Sequence, residues 1–459
     1  MICARRHGGA GALAVAVLAM VACATAFICW WHTREAAAGN APTVVVSGDT
    51  AGMMVAAGCT ANQSGGLARR GTYLAELRKH GEVIYLDAGG AAGGTSLYQK
   101  AKFEAILEGE RAMGINAHNL GKAELALGAE YLREVQGRLH FPFVSENVRD
   151  AGGKRIIEDR RIVEAGGMRV GVIGVVSALY GASGFTIDDP RQAVLDAANA
   201  MKGQCNVIVV LASMPQQELA DLALNLPEID AVIGESGAQA IAPKAVGATM
   251  LASASRKGKS LVELRVPAGR SQGAWEGKLV ELTPAIADDS AQLTNVRRYL
   301  SMLEERDFSE QQSDVAVLPE LFSSNWRIAG SAACLKCHAT EYNSWIGSKH
   351  ARAFATLQEK GFHVDSQCQR CHTTGFGIGG GFVSARQSGT SELAGVGCES
   401  CHGPSAHHVK DSKRQTSYRP AFDQCASCHN KENSPEYSAP VYWEAIKHGK
   451  SSGAGIGRR

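Results

Sequence analysis

Cysteine, cysteine and histidine recur at one fixed spacing four times in the second half of this 459-residue chain. The pattern Cys-x-x-Cys-His is written by Cys334, Cys337 and His338, by Cys368, Cys371 and His372, by Cys398, Cys401 and His402, and by Cys425, Cys428 and His429. Two thiols three residues apart share one turn of chain, where they can form thioethers with the two vinyl groups of a haem. The adjoining imidazole is then offered to the iron. Structural zinc is the competing use of Cys and His, but a closed tetrahedron does not need a histidine directly after every second cysteine. The spacing therefore predicts four covalent c-type haems, with His338, His372, His402 and His429 as proximal ligands.

The same segment supplies candidates for the opposite face of each iron. Outside the motifs, residues 329–459 hold His350, His363, His407, His408 and His448. An iron with two imidazoles relays electrons, whereas one with an open position can bind a small molecule such as nitric oxide, nitrite or hydroxylamine. The segment is rich in Gly, Ser, Lys and His and has few long apolar runs, so haem has to supply much of its core. Residues 375–380 satisfy GxGxxG, but they follow a haem histidine instead of a buried strand, and no helix or acidic residue follows as nucleotide binding requires. They read as a flexible loop.

The elements that carry this segment lie upstream. Apolar runs predict strands over 43–46, 83–86, 168–176, 205–211 and 231–233, and further strands near 248, 261 and 278. Helical periods fall over 66–79, 98–112, 191–201, 216–224 and 290–305. This is an α/β layered domain over 43–306, large enough for its own core, joined by a linker at 307–328 to a mostly α and irregular haem domain at 329–459. Leu318, Leu321 and Trp326 are expected to pack parts of the linker.

Arg5 and Arg6 precede an uncharged apolar run from about residue 11 to 31. That length suits a bilayer span better than a signal core, so residues 1–38 read as an exported, uncleaved anchor, with Ala36-Ala37-Ala38 as the site of the alternative, a cleaved signal. Met20-Val21-Ala22-Cys23 is only a weak lipoprotein-like box. The body then lies outside the cytoplasm, on the periplasmic side. A formal charge of +2, lowered further by haem propionates, argues against a nucleic-acid partner. Of the 13 cysteines, eight lie in the haem motifs and Cys3, Cys23 and Cys29 near the N-terminus; Cys59 and Cys205 are left as a disulfide, as thiols or as neither.

Two resemblances sharpen these readings. The stretches Glu341-Tyr342 with Trp345, Ser348-Lys349-His350-Ala351, Cys371-His372-Thr373-Thr374-Gly375, 397–404, Tyr442-Trp443 and Ile446-Lys447-His448 resemble the cytochrome c-554 type of tetrahaem domain. That resemblance implies His350, His408 and His448 as distal ligands and makes His407 a neighbour. One haem is left short, so either His363 fills the place or that iron is open, and the second motif is the expected location.

Upstream, Gly65-Gly66-Leu67-Ala68-Arg69-Arg70, Asp87-Ala88-Gly89, 120–124 and 230–234 resemble, in order, the metallophosphoesterase domain of the 5′-nucleotidase family, also found in the thiosulfate-oxidation hydrolase. A two-metal hydrolase needs several carboxylate and imidazole ligands together. Asp49 remains, but Ala51, Gly90, Lys122-Ala123, Ser213, Ser236 and Ala238 stand where the other ligands belong. His80, His118 and His140 fit none of the vacated places and read as surface or structural residues.

The expected protein is an extracytoplasmic electron carrier whose degenerate phosphoesterase-like domain is a scaffold or docking module. Redox proteins are its expected partners, and larger assemblies are compatible with it. The alternative is a redox enzyme acting on a small nitrogen or sulfur compound at one open haem.

Overall fold

The computed structural model describes residues 41–56, 63–235, 239–266, 275–315, 325–386, 392–414 and 422–448. The apolar run at 11–31, Cys3, Cys23, Cys29, Cys59, Ser236, Ala238, Leu318 and Leu321 lie outside these. Among the described residues no helix is long and apolar enough to cross a membrane.

Among the described residues fourteen strands run in chain order: β1 (Thr43–Ser47), β2 (Val83–Asp87), β3 (Ile115–Asn119), β4 (Phe143–Val144), β5 (Val148–Asp150), β6 (Arg160–Ala165), β7 (Met168–Val176), β8 (Phe185–Ile187), β9 (Val207–Ser213), β10 (Ala231–Gly234), β11 (Ile241–Val246), β12 (Thr249–Ser253), β13 (Ser260–Arg265) and β14 (Glu276–Glu281). One sheet has the order β14-β13-β1-β2-β3-β4, the other β11-β12-β10-β9-β7-β6. In the first, β1 is parallel to β2 and antiparallel to β13, so it lies inside the sheet with both edges paired.

Side-chain alternation decides how the layers stack, because successive residues of a strand face opposite sides. Val44, Val46, Ile84 and Leu86 point at the other sheet and meet Val207, Val209 and Leu211. Their neighbours Val45 and Tyr85 point outward onto helices Leu67–Arg78, Leu97–Ala112 and Ser290–Arg306. On the second sheet Ile208 and Val210 face outward onto Pro190–Ala200 and Gln216–Asn225. The result is a four-layered sandwich of helices, sheet, sheet and helices.

Residues 307–315 pack onto this domain: Phe308 and Val315 are buried, and Ser96 Oγ donates to Ser313 O at 2.9 Å. Beyond 325 the chain forms short helices, among them Ser331–Leu335, Ala339–Ile346, Ala353–Lys360, Ser366–His372, Cys398–His402, Ala406–Lys410 and Ala439–Ile446. The GxGxxG stretch is a pair of hydrogen-bonded turns, not the flexible loop expected. Ile378 N donates to Gly375 O, Gly381 N to Ile378 O, and Ile328 N to Gly379 O, all within 2.9 Å. A Cβ at Gly381 would lie 1.9 Å from Gly375 O, so the backbones meet where only glycine fits.

Candidate functional site: a histidine and cysteine constellation beside a closed cleft

The haem motifs come together in the fold, although the first cysteine of each stands 27 or more residues from that of the next in sequence. The Cys334 thiol lies close to that of Cys398, and the Cys371 thiol close to that of Cys428, which sets the first motif beside the third and the second beside the fourth. The second and third motifs start on fixed turns. Asp365 caps Ser366–His372 through Gln367 N, and Glu399, buried at the start of Cys398–His402, accepts from Ala329 N, Gly330 N and Ser405 N at 2.6–2.9 Å.

Histidines outside the motifs come to three of the four proximal ones. Ring centres of His338 and His408 are 6.3 Å apart, those of His429 and His350 6.1 Å, and those of His402 and His448 5.9 Å. A first-row metal–imidazole bond is roughly 2 Å. Two imidazoles on opposite faces of one iron then have ring centres roughly 6 Å apart, so these pairs fit an iron between them.

Tautomers agree. His372 Nδ1 lies 2.8 Å from Ala353 O, His408 Nδ1 2.6 Å from Arg414 O and His429 Nδ1 2.9 Å from Ser434 Oγ. A partner on Nδ1 orients the ring and leaves Nε2 for a metal. Burial, followed by neighbouring imidazoles, holds His350, His402 and His429 below the usual histidine range, which favours the neutral form that a metal requires. The donor set fits c-type haem.

His372 differs: among the described residues no histidine ring faces it in this way. His363 stands edge-on to Phe354, ring centres 6.2 Å apart, with its Nδ1 buried and without a partner. His407 contacts Trp326.

In the first domain the place where the resemblance expects metal ligands is occupied by carboxylates that sequence reasoning passed over. Glu124 is fully buried and accepts from Gly90, Ala91, Ala92 and Gly121 N–H groups at 2.6–3.1 Å. Glu235 accepts from Ser213 Oγ, and a Cβ at Gly90 would lie 2.6 Å from its Oε1. That Cβ would also lie 2.9 Å from the Asp49 Cα at a φ of 82°, so position 90, where the resemblance expects a bridging aspartate, accepts one only with strain. The signal in the sequence was the Glu124 retained in 120–124; Glu235 had none.

Burial and then Glu124 push Glu235 up to about 8, and burial pushes Asp49 up to about 6 against the nearby Arg256. Because the folded value for Glu235 lies above the unfolded one, its contribution is fully present below about 4.5 and lost as pH rises through about 8. Replacing Glu235 by Gln should flatten the decline of unfolding free energy between pH 5 and 9, measured by urea titration. A decline as steep as that of the unaltered protein would contradict this.

Beneath the cleft lies a closed charge network. Arg70 Nη1 is 3.2 Å from Glu110 Oε1 and 3.1 Å from Tyr85 Oη, and Nη2 donates to Thr50 Oγ1 at 2.9 Å. His118 Nδ1 lies 2.8 Å from Glu110 and 3.9 Å from Asp87. Burial alone would lower the His118 pKa, but Asp87 and Glu110 hold it up at about 9. Asp87, Glu110 and His118 are ligand types close enough for one ion. Two cations already balance the two carboxylates there, which makes the cluster structural. His80 and His140 are exposed.

Known proteins match both halves. Residues 333–403 match the family model described as cytochrome c554 and c-prime. Cytochrome c-554 of Nitrosomonas europaea is 33% identical over 100 residues, which are 18% of this chain and 42% of that protein. The 5′-nucleotidase precursor of Thermus thermophilus is similar with a TM-score of 0.50 at 22% identity, covering 57% of this chain and 59% of that one. The sulfate thiohydrolase of the same organism gives 0.51 at 15%, covering 59% and 62%. The chain thus spans less than two thirds of each of these relatives, and the two structural likenesses concern the fold alone. The C-terminal region carries a cytochrome c554 domain, a multihaem unit for c-type haem, and the N-terminal region has the fold of 5′-nucleotidases.

Proposed function

We propose that this protein is an extracytoplasmic electron carrier with four c-type haems, held by the eight motif cysteines and His338, His372, His402 and His429. Its first domain, without phosphohydrolase activity, is the platform on which the haem domain sits. The observation that carries this reading is the meeting of three proximal histidines with His408, His350 and His448 at ring distances of 5.9–6.3 Å. Bound haem supplies one-electron redox chemistry. The chain holds the His372, His408 and His429 rings at Nδ1, favours the neutral form of His350, His402 and His429 by burial, and brings the motifs together. Redox proteins are the partners, an uncleaved N-terminal segment is the membrane attachment, and the platform's exposed faces are available for docking and for assembly of copies.

The carboxylates that close the first domain's cleft support the loss of hydrolysis. Asp49, Glu124 and Glu235 remain there, and Ser213 and Gly90 replace ligands. No manganese-dependent release of phosphate from nucleotides is expected; release at a rate typical of an enzyme would overturn this part.

A second reading is favoured by His372 alone. With no imidazole among the described residues facing it, the second motif is the place for an open iron and for a small nitrogen or sulfur substrate; His363 is the residue that closes it otherwise. Electron paramagnetic resonance of the oxidised protein, with covalent haem quantified in the same sample, tests both. Four covalent haems are expected, and their absence would sink the carrier. One high-spin signal that shifts with cyanide or nitric oxide establishes the open site, and four low-spin signals give His363 the role of ligand.

A further inference from the structure

The first domain reaches into the second haem motif through a buried lysine. Lys102 lies on the Leu97–Ala112 helix and is 4% exposed. Burying an ammonium is costly unless it is paired, and its carboxylate partner is across the domain boundary: Nζ is 3.5 Å from Asp365 Oδ2. Lys102 also donates to Tyr98 Oη at 2.5 Å and to Gln367 Oε1 at 3.0 Å, and Nζ lies 4.6 Å from the Tyr98 ring centre. Tyr98 Oη in turn donates to Asp365 Oδ1 at 2.5 Å.

Asp365 is the residue that caps Ser366–His372, the helix bearing Cys368, Cys371 and His372. Cys368 packs against the apolar cluster that contains Tyr98, Phe103 and Tyr299. Burial and the Asp365 carboxylate hold the Tyr98 phenol well above its usual range, so it stays a donor. Outside its own helix, the capping carboxylate is thus held by Lys102 and Tyr98 of the 5′-nucleotidase-like domain.

We infer that Lys102, Tyr98 and Asp365 form a charge clamp by which the first domain positions the second haem-bearing helix and sets the reduction potential of the haem attached there. These are positioning residues, and the inference rests on haem being attached at Cys368 and Cys371. A haem gains one electron on reduction, so a nearby positive charge favours the reduced form and a nearby negative charge the oxidised form. Charges act strongly where water is excluded. With both present the clamp is balanced; removing either charge leaves the other uncompensated beside the motif.

The experiment is a spectroelectrochemical titration of the full-length haem-loaded protein, with Lys102→Met, Asp365→Asn and Tyr98→Phe compared with the unaltered chain. One of the one-electron steps is expected to move by about tenfold in its equilibrium constant, about 59 mV, downward in Lys102→Met and upward in Asp365→Asn. Tyr98→Phe should move it less. The step that moves should be the one missing from a Cys368→Ser, Cys371→Ser variant. No shift, or shifts of the same sign in both charge variants, would overturn the clamp, because mere loosening of the helix has no reason to reverse with charge. Covalent haem is counted first in the unaltered protein: a missing haem at Cys368 and Cys371 overturns the attachment reading, and a full count with unmoved potentials overturns the clamp alone.

Discussion

Replacing Arg70 by methionine should destabilise the first domain by roughly 3–5 kcal/mol, the range for removing one partner of a buried ion pair. Arg70 is 1% exposed and faces Glu110 and Asp87, both fully buried. Without it His118 is the one cation left against two carboxylates in that network. His118 titrates at about 9 in the folded protein, above the ordinary histidine value of 6.5, so its stabilising contribution is complete below about 6.5 and is lost as pH rises through about 9. The deficit of the variant should therefore grow between pH 7 and 10. Urea unfolding followed by far-ultraviolet circular dichroism reads both effects. A loss below about 1 kcal/mol, at the level of a surface pair, would show that the network does not support the fold.

Removal of one haem attachment should be felt across the whole C-terminal region. Among the described residues of 329–448, the buried apolar side chains are Ala353, Phe354, Leu357, Val364, Phe376 and Phe382, all on the stretch that meets the first domain. Among the described residues the first, third and fourth motifs have no comparable polypeptide core, and a segment with so little apolar burial does not hold together by itself. The third motif is also a hub, since Glu399 ties 329–330 and Ser405 together. A Cys398→Ser, Cys401→Ser variant should lose one covalent haem by mass and become sensitive to protease within 329–448, while 43–306 stays resistant. Full protease resistance after loss of that haem would show that polypeptide packing, not haem, is the core.

Much of this was legible in the sequence because it rests on local periodicity. A strand was expected over 205–211; it lies two residues later, at Val207–Ser213, and its alternate residues serve two different layers. Helix Leu97–Ala112 was visible over 98–112, one residue short. What escaped was chemistry made by residues far apart in the chain. Lys102 falls on the buried stripe with Tyr98 and Ile106, four residues either side, and a lysine in that place was the available sign of a buried partner. Glu124 becomes an acceptor for four N–H groups only because Gly89 and Gly90 adopt positive φ, a backbone geometry that spacing does not announce. Pairing of distal with proximal histidines likewise depends on three-dimensional contact. The sequence supplied the candidates, and the fold chose which faces which.

The placement of β1 governs the order in which this chain can be built. Its first edge can pair once Asp87 has been made, but its second edge waits for Arg265 and the residues before it. Until then a hydrophobic strand has an unpaired side, the kind of template on which wrong pairing starts, and such distant pairing is slow. The cysteines of the haem motifs come later still, from Cys334 onward. A newly made chain can thus close its first sheet before any motif needs its cofactor, and the surface carrying Tyr98 and Lys102 is then waiting for the helix it receives. Moving the cytochrome region to the front of the chain would reverse that order and leave its second motif to acquire haem with nothing to rest against.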